Sequence, residues 1–292
     1  MFKKLAKLKN LLLVTLFSIY AAALTGCNEA VSGILDPKGV IAFQERELLF
    51  DSLALMMIVV IPVIIMSFAF LYRYHHSQDT SEYRPNWCHN TLLESIWWGV
   101  PIAIILILAI MTWETSHSLD PYKKINAEAE TLEIQVVALP WKWLFIYPKQ
   151  NIATVNLLEI PLDRQVEFFL TTDNVPMSSF FVPQLGSQIY AMAGMRTRLH
   201  LLATHLGTFR GLNTQYNGGG FSDMYFDTKV VDDAEFDSWV ASTRTTSSPL
   251  TSEVYHLLRE PTVAQPVLSF ADVTPDLFTT IIQSYGMSHH PH

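Results

Sequence analysis

The sequence predicts a membrane-anchored α+β chain: a two-helix transmembrane hairpin, then a Greek-key β-sandwich, then a short C-terminal helical region. Three observations carry this. Residues 53–72 and 95–113 are two long runs without a charged residue, each of the roughly 20 residues needed to cross about 30 Å of hydrocarbon at 1.5 Å per residue. After Trp113 the pattern changes to short β-branched and aromatic runs separated by Pro, Gly and Asp-Asn turns, which is strand punctuation. Near the end of the sandwich region, 232–241 reads as an amphipathic helix.

The chain starts with Lys3, Lys4, Lys7 and Lys9, followed by a short apolar stretch over 11–24. That is the pattern of a secretory signal, too short for an ordinary span. It ends in Leu24-Thr25-Gly26-Cys27, which resembles the bacterial lipoprotein signal box. The resemblance implies cleavage after residue 26 and a lipid on Cys27. Residues 27–49 then form an outer N-terminal segment, 50–73 the first membrane helix, 74–92 a cytoplasmic loop and 93–114 the second helix. Pro62 and Pro101 fall inside the helices, which membrane helices tolerate because neighbours re-satisfy the freed carbonyls. The Lys/Arg balance does not orient the hairpin: Arg73 and Arg84, between the two uncharged runs, are matched by Lys38 and Arg46 before the first. The lipid signal orients it, because such processing occurs on the outer face of the cytoplasmic membrane. The domain over 115–232 is therefore expected in the periplasm, and Cys88 is expected to be an inert, reduced thiol on the inner side.

In the sandwich region, strands are expected over 131–139, 165–172, 180–182, 188–192, 197–203 and 224–231. Asp232 caps the helix that follows, with Phe236, Trp239 and Val240 on one face. The Ser/Thr-rich stretch 242–252 reads as a linker. Residues 233–292 form the helical and aromatic-rich tail. His289, His290 and His292 at its end read as polar tail residues rather than a metal site.

Of 292 residues half are hydrophobic, and the net charge is −8. From Ser116 onward 11 Lys and Arg stand against 18 Asp and Glu. An acidic domain does not suit nucleic acid, whose binding rests on neutralising phosphates. Both cysteines precede this domain, so it has no disulfide framework.

Residues 213–224 read Asn-Thr-Gln-Tyr-Asn-Gly-Gly-Gly-Phe-Ser-Asp-Met. This resembles the copper-ligand loop of cytochrome c oxidase subunit II, Cys-x-Glu-x-Cys-Gly-x-x-His-x-x-Met, with its ligands replaced. Asn213 and Asn217 take the cysteine positions, Gln215 the glutamate and Phe221 the histidine; Met224 survives. Ser178, before Ser179-Phe180-Phe181-Val182-Pro183, takes the position of the other copper histidine. Thiolates are what let such a domain hold copper for electron transfer, and none remains. Met224 is then better read as packing, and His200 and His205 lie outside the motif as surface or strand histidines.

The runs Trp141-Lys142-Trp143-Leu144-Phe145-Ile146-Tyr147-Pro148 and 180–195 resemble bacterial cytochrome bo-type ubiquinol oxidases, the copper-free branch of the haem-copper oxidases. Residues 270–278 resemble the aromatic-rich C-terminal element of quinol oxidase subunit II. The resemblance implies a cupredoxin-like sandwich and a chain with no catalytic residue and no bound metal. It implies haems and copper in subunit I, ubiquinol as substrate of the complex, and subunit I with small membrane subunits as partners. No cytochrome c is expected, and the aromatic run 141–147 reads as packing. Glu94 keeps two readings. A carboxylate at a helix start is favourable with the dipole; yet Leu93-Glu94-x-Ile-Trp-x-x-Val-Pro resembles a family element whose glutamate marks a proton-uptake path. Two rival readings are a copper-bearing cytochrome c oxidase subunit II and a non-respiratory lipoprotein.

Overall fold

The structure, a computed structural model, describes Ser18 and residues 33–74, 89–125 and 130–286. The signal segment apart from Ser18, Cys27, Cys88 with most of its loop, and the three tail histidines lie outside the described residues.

Helix α1 spans Val40–Arg73 and helix α2 spans Thr91–Ser118. Both are long and apolar enough to cross a membrane, and neither apolar stretch is buried within the chain. Pro62 and Pro101 lie inside them without ending them. At 1.5 Å per residue the 34 residues of α1 extend about 51 Å, well beyond a hydrocarbon core. The excess is at its start, where Glu45, Arg46, Glu47 and Asp51 are found and where the sandwich takes over the orphan N–H groups every helix start leaves. Val40 N–H donates to Leu202 O at 3.1 Å and Ala42 N–H to Leu185 O at 3.2 Å. Ser187 donates from both N and Oγ to the Glu45 carboxylate. The exit of α2 is fastened too. From the sandwich strand Thr197–Leu201, His200 donates to Pro121 O, just past the end of α2, from its backbone N and, at 3.1 Å, from Nδ1. His200 is thus a strand histidine, but a buried one.

The sandwich is built from β1 (Leu132–Leu139), β2 (Lys142–Tyr147), β3 (Ile152–Val155), β4 (Leu157–Pro161), β5 (Val166–Thr172), β6 (Met177–Val182), β7 (Gly186–Met192), β8 (Thr197–Leu201), β9 (Gly207–Asn213) and β10 (Tyr225–Val231). Helix α3 (Asp233–Thr246) leads to β11 (Ser248–Pro249), α4 (Ser252–Leu258), β12 (Leu268–Ala271) and α5 (Leu277–Gly286). One sheet runs β11-β12-β3-β2-β1-β5-β8 and the other β4-β10-β9-β6-β7. The chain crosses between them after β3, β4, β5, β7, β8 and β10, as the predicted sandwich requires.

Two cores result. Between the sheets lie Trp143, Phe145, Phe168, Phe180 and Phe226, with Phe180 and Phe226 stacked at 5.2 Å and Trp143 edge-on to Phe180 at 5.6 Å. The second core lies on the outer face of the larger sheet. There Val137, Leu139, Leu144, Ile146 and Phe169 are covered by Leu250, Tyr255, Leu258, Phe278 and Ile281 of the C-terminal region. Strand β2 is therefore buried on both faces, with Trp143, Phe145 and Tyr147 inward and Leu144 and Ile146 outward. The aromatic run does pack, as read, but it packs as a strand; burial on both faces removes the apolar-polar alternation that marks a strand in sequence.

The Ser/Thr stretch 242–252 is not a linker. Its first five residues complete α3, with Thr246 Oγ1 donating to Ser242 O and Thr245 Oγ1 to Ala241 O. Ser248–Pro249 joins the larger sheet, and Thr251 caps α4 by accepting from Val254 N–H. Hydroxyls that satisfy themselves on the preceding turn let a polar stretch stay helical. Asp232 caps α3 as expected, accepting from Glu235 N–H at 2.8 Å.

Candidate functional site

The six positions matched to copper ligands sit where β6, β9 and the start of β10 meet. Asn213 ends β9 beside Phe180 of β6. A loop then leads through a 3-10 turn over Phe221–Asp223 to Met224, which is buried just before β10.

The Asn213 carboxamide closes this loop. Its Oδ1 accepts from Ser179 N–H at 2.9 Å and Gln215 N–H at 3.1 Å, and its Nδ2 donates to Gln215 O at 2.8 Å. The same Nδ2 lies 3.3 Å from Met224 Sδ, and Asn217 Nδ2 reaches that sulfur at 3.1 Å. Structure therefore brings Asn213, Asn217 and Met224 together. Gln215 takes part through its backbone, Phe221 packs its ring on Tyr216 at 5.6 Å, and Ser178 is fully buried in β6 with no partner for its Oγ.

Trp141 lies over the loop. Its Nε1 donates to Asn217 O at 3.2 Å, and a Cβ at Gly220 would fall 2.4 Å from the indole. Gly218 has φ +112°, a conformation that glycine adopts without steric cost. Gly218 and Gly220 thus bring the backbone up to a tryptophan face.

These residues do not fit copper. Transition metals need deprotonated sulfur, imidazole or carboxylate donors. The positions offer neutral amides, a hydroxyl and a phenyl ring, and the thioether already accepts from two amide N–H donors. Among the described residues no group of three His, Cys, Asp or Glu is placed to hold a metal ion.

Glu94 lies in the first turn of α2, whose N-cap is Asn90, accepting from Leu93 N–H at 3.0 Å. His89 Nδ1 stands 3.5 Å from Glu94 Oε1, and the carboxylate is 43% exposed.

Sequence reasoning missed a buried carboxylate. Asp173 reads as a turn residue, yet its side chain is 4% exposed and pairs with Arg259 at 2.9 Å. It accepts from Tyr255 Oη at 2.5 Å and Tyr285 Oη at 2.8 Å. Burial pushes both phenols above their ordinary value, and the neighbouring carboxylate adds to the push. Lys142 is missed in the same way. Its buried ammonium donates to Leu258 O, Glu260 O and Thr262 Oγ1, and burial holds it below the usual lysine range. All of these partners except Asp173 lie beyond residue 250, so the signal is a sandwich charge answered by a tail.

Hairpin, sandwich and amide-closed loop define a class: a membrane-anchored sandwich protein without a redox-metal centre in its loop. Comparison with known proteins gives the family. The COX Aromatic Rich Motif family matches residues 244–289, a range that includes Leu250, Tyr255, Leu258, Phe278 and Ile281 over the outer sheet face. The chain is 48% identical over 268 residues to the ubiquinol oxidase subunit 2 of Acetobacter aceti, covering 91% of this chain and 86% of that one. It is 45% identical over 270 residues to the cytochrome bo(3) ubiquinol oxidase subunit 2 of Pseudomonas aeruginosa, covering 92% and 80%. Among solved structures it is similar to the periplasmic domain of subunit II of cytochrome oxidase from Bradyrhizobium japonicum, at 23% identity and a TM-score of 0.38 over 41% of this chain and 96% of that chain. The chain belongs to the ubiquinol oxidase subunit 2 family.

Proposed function

We propose that this chain is the non-catalytic subunit II of a proton-pumping ubiquinol oxidase, which oxidises ubiquinol and reduces oxygen to water. The observation that carries this reading is the loop closed by Asn213, Asn217 and Met224. It has the register of an electron-accepting copper loop and no donor set for the metal, so electrons enter the complex elsewhere and cytochrome c is not the donor. Haems and copper belong to subunit I and supply the oxygen chemistry. The part of this chain is to pack its apolar hairpin on subunit I, with small membrane subunits alongside, and to cap that subunit with the sandwich.

The complex lies in a bacterial cytoplasmic membrane. The start of α1 and the end of α2 are both bonded to the sandwich, which supports a domain held on one side of the membrane. That side is the periplasm, with a lipid on Cys27 as a further anchor; intact-mass measurement of the mature chain tests the lipid. Glu94, at the opposite end of α2, is a proton-uptake group.

Purification in mild detergent through a tag on this chain tests the reading. Co-purifying haem with ubiquinol-dependent oxygen consumption is expected. Isolation without haem would favour a lipoprotein unrelated to respiration. A strong thiolate-to-copper absorption in the copper-loaded protein would favour a cytochrome c oxidase.

A further inference from the structure

We infer that the junction between hairpin and sandwich is a binding site for the phosphate headgroup of an anionic phospholipid. The inference needs the hairpin to lie in a bilayer; it does not need the oxidase reading. A cavity of about 230 Å³ lies between the start of α1, the chain just past α2 and the sandwich. Lys123 and Lys124 line it, and neither has an ion pair among the described residues. Asp120 is the carboxylate in the lining, and its Oδ1 already accepts from Tyr122 N–H at 2.9 Å. Two ammonium groups against one engaged carboxylate make this a cationic spot in a region where 11 Lys and Arg stand against 18 Asp and Glu. Val40, Ile41 and Leu119 make the rest of the wall apolar.

Depth names the anion. Ser118, also in the lining, stands five residues past Trp113, where the uncharged run of α2 ends. At 1.5 Å per residue that is about 7.5 Å beyond the hydrocarbon, and headgroups occupy roughly 5–8 Å on each side of the hydrocarbon core. The membrane-side lip of the cavity therefore falls in the layer where lipid phosphates lie. Ile110 and Trp113 are 60% and 70% exposed on the last turns of α2 below that lip, and tryptophan favours this interfacial level. A lipid seated here sets its phosphate oxygens on the two ammonium groups and lays its acyl chains along α2. Basic pockets beside membrane helices hold anionic headgroups by this charge pairing. A free phosphate offers the same oxygens without the chains.

The test takes the full chain, purified through a tag with its accompanying subunits and stripped of lipid in mild detergent. Dioctanoyl phosphatidylglycerol, dioctanoyl phosphatidylcholine and inorganic phosphate are titrated in turn, and bound lipid is counted by native mass spectrometry. One phosphatidylglycerol per chain is expected, weakened by salt, with phosphatidylcholine binding less and inorganic phosphate failing to displace it. Lys123→Gln and Lys124→Gln should each weaken binding roughly fivefold and together about 30-fold. The paired Lys→Arg variant should keep the lipid, and Lys149→Gln, at a lysine outside the cavity, should not change it. Unchanged binding in the double Gln variant overturns the inference, as does an equal loss in Lys149→Gln. Displacement by inorganic phosphate at the lipid's own concentration would make it a free-phosphate site. Loss of the accompanying subunits from the double Gln variant would show that the lysines hold a protein neighbour instead. Absence of haem from the purified chain would sink the oxidase reading and leave this one standing.

Discussion

Replacing Asp173 by alanine should detach the C-terminal region from the sheet it covers. Asp173 accepts from both Tyr255 of α4 and Tyr285 of α5 and so ties them to the sandwich through a single carboxylate. The Tyr255 bond is buried, and hydrogen bonds to a charged group contribute roughly 1.5–3 kcal/mol. The Tyr285 bond is partly buried and contributes less, about 1 kcal/mol. The Arg259 pair is discounted, because its guanidinium is 35% exposed and solvent screens it. Together these give a loss of about 2.5–4 kcal/mol. Chemical unfolding of the detergent-solubilised chain measures it, and limited proteolysis should cut first within the segment after α3. Asp173→Asn and Tyr255→Phe, alone and combined, should show coupling of about 1 kcal/mol or more. A loss within about 0.5 kcal/mol of the parent, or additive effects in the cycle, would refute the reasoning.

Three further outcomes follow from the same geometry. Burial raises the Tyr147 and Tyr255 phenols, so above pH of about 10 the unfolded chain releases protons that the native state keeps; stability should be level below that pH and fall by roughly 1.4 kcal/mol per pH unit per tyrosine above it, and a flat alkaline stability curve would contradict their burial. Gly220→Ala puts a methyl group 2.4 Å from the Trp141 indole, so the loop should lift at a cost of about 1–3 kcal/mol, read as red-shifted tryptophan emission; an unshifted spectrum would count against the packing. Met224→Leu keeps the volume but leaves Asn213 and Asn217 amide N–H donors without their sulfur acceptor, costing about 1–3 kcal/mol in thermal unfolding, whereas Asn217→Ala on that background should cost little more.

Much of the architecture is legible because its causes are local. Two uncharged runs of membrane length allow one arrangement, since only a helix satisfies its own backbone in hydrocarbon. Strands such as β1 and β10 alternate visibly, and Asp232 announces α3 by its capping chemistry. Strand β2 is hidden because both its faces are buried, and the end of α3 is hidden because serine and threonine hydroxyls bond backward in a helix as readily as they make a turn.

At the candidate site the sequence determines the chemistry: with no cysteine after Cys88 and amides in the loop, the donor set is settled by composition alone. Tertiary structure decides what those amides do. Asn213 and Asn217 reach the Met224 sulfur because β9 and β10 pair antiparallel and fold the loop back on itself. It likewise decides that Asp173, a turn residue by its neighbours, is a buried anchor for tyrosines more than 80 residues away. Hydrogen-bond partners so distant in the chain leave no periodicity, only an unpaired charge in one segment and its donors in another.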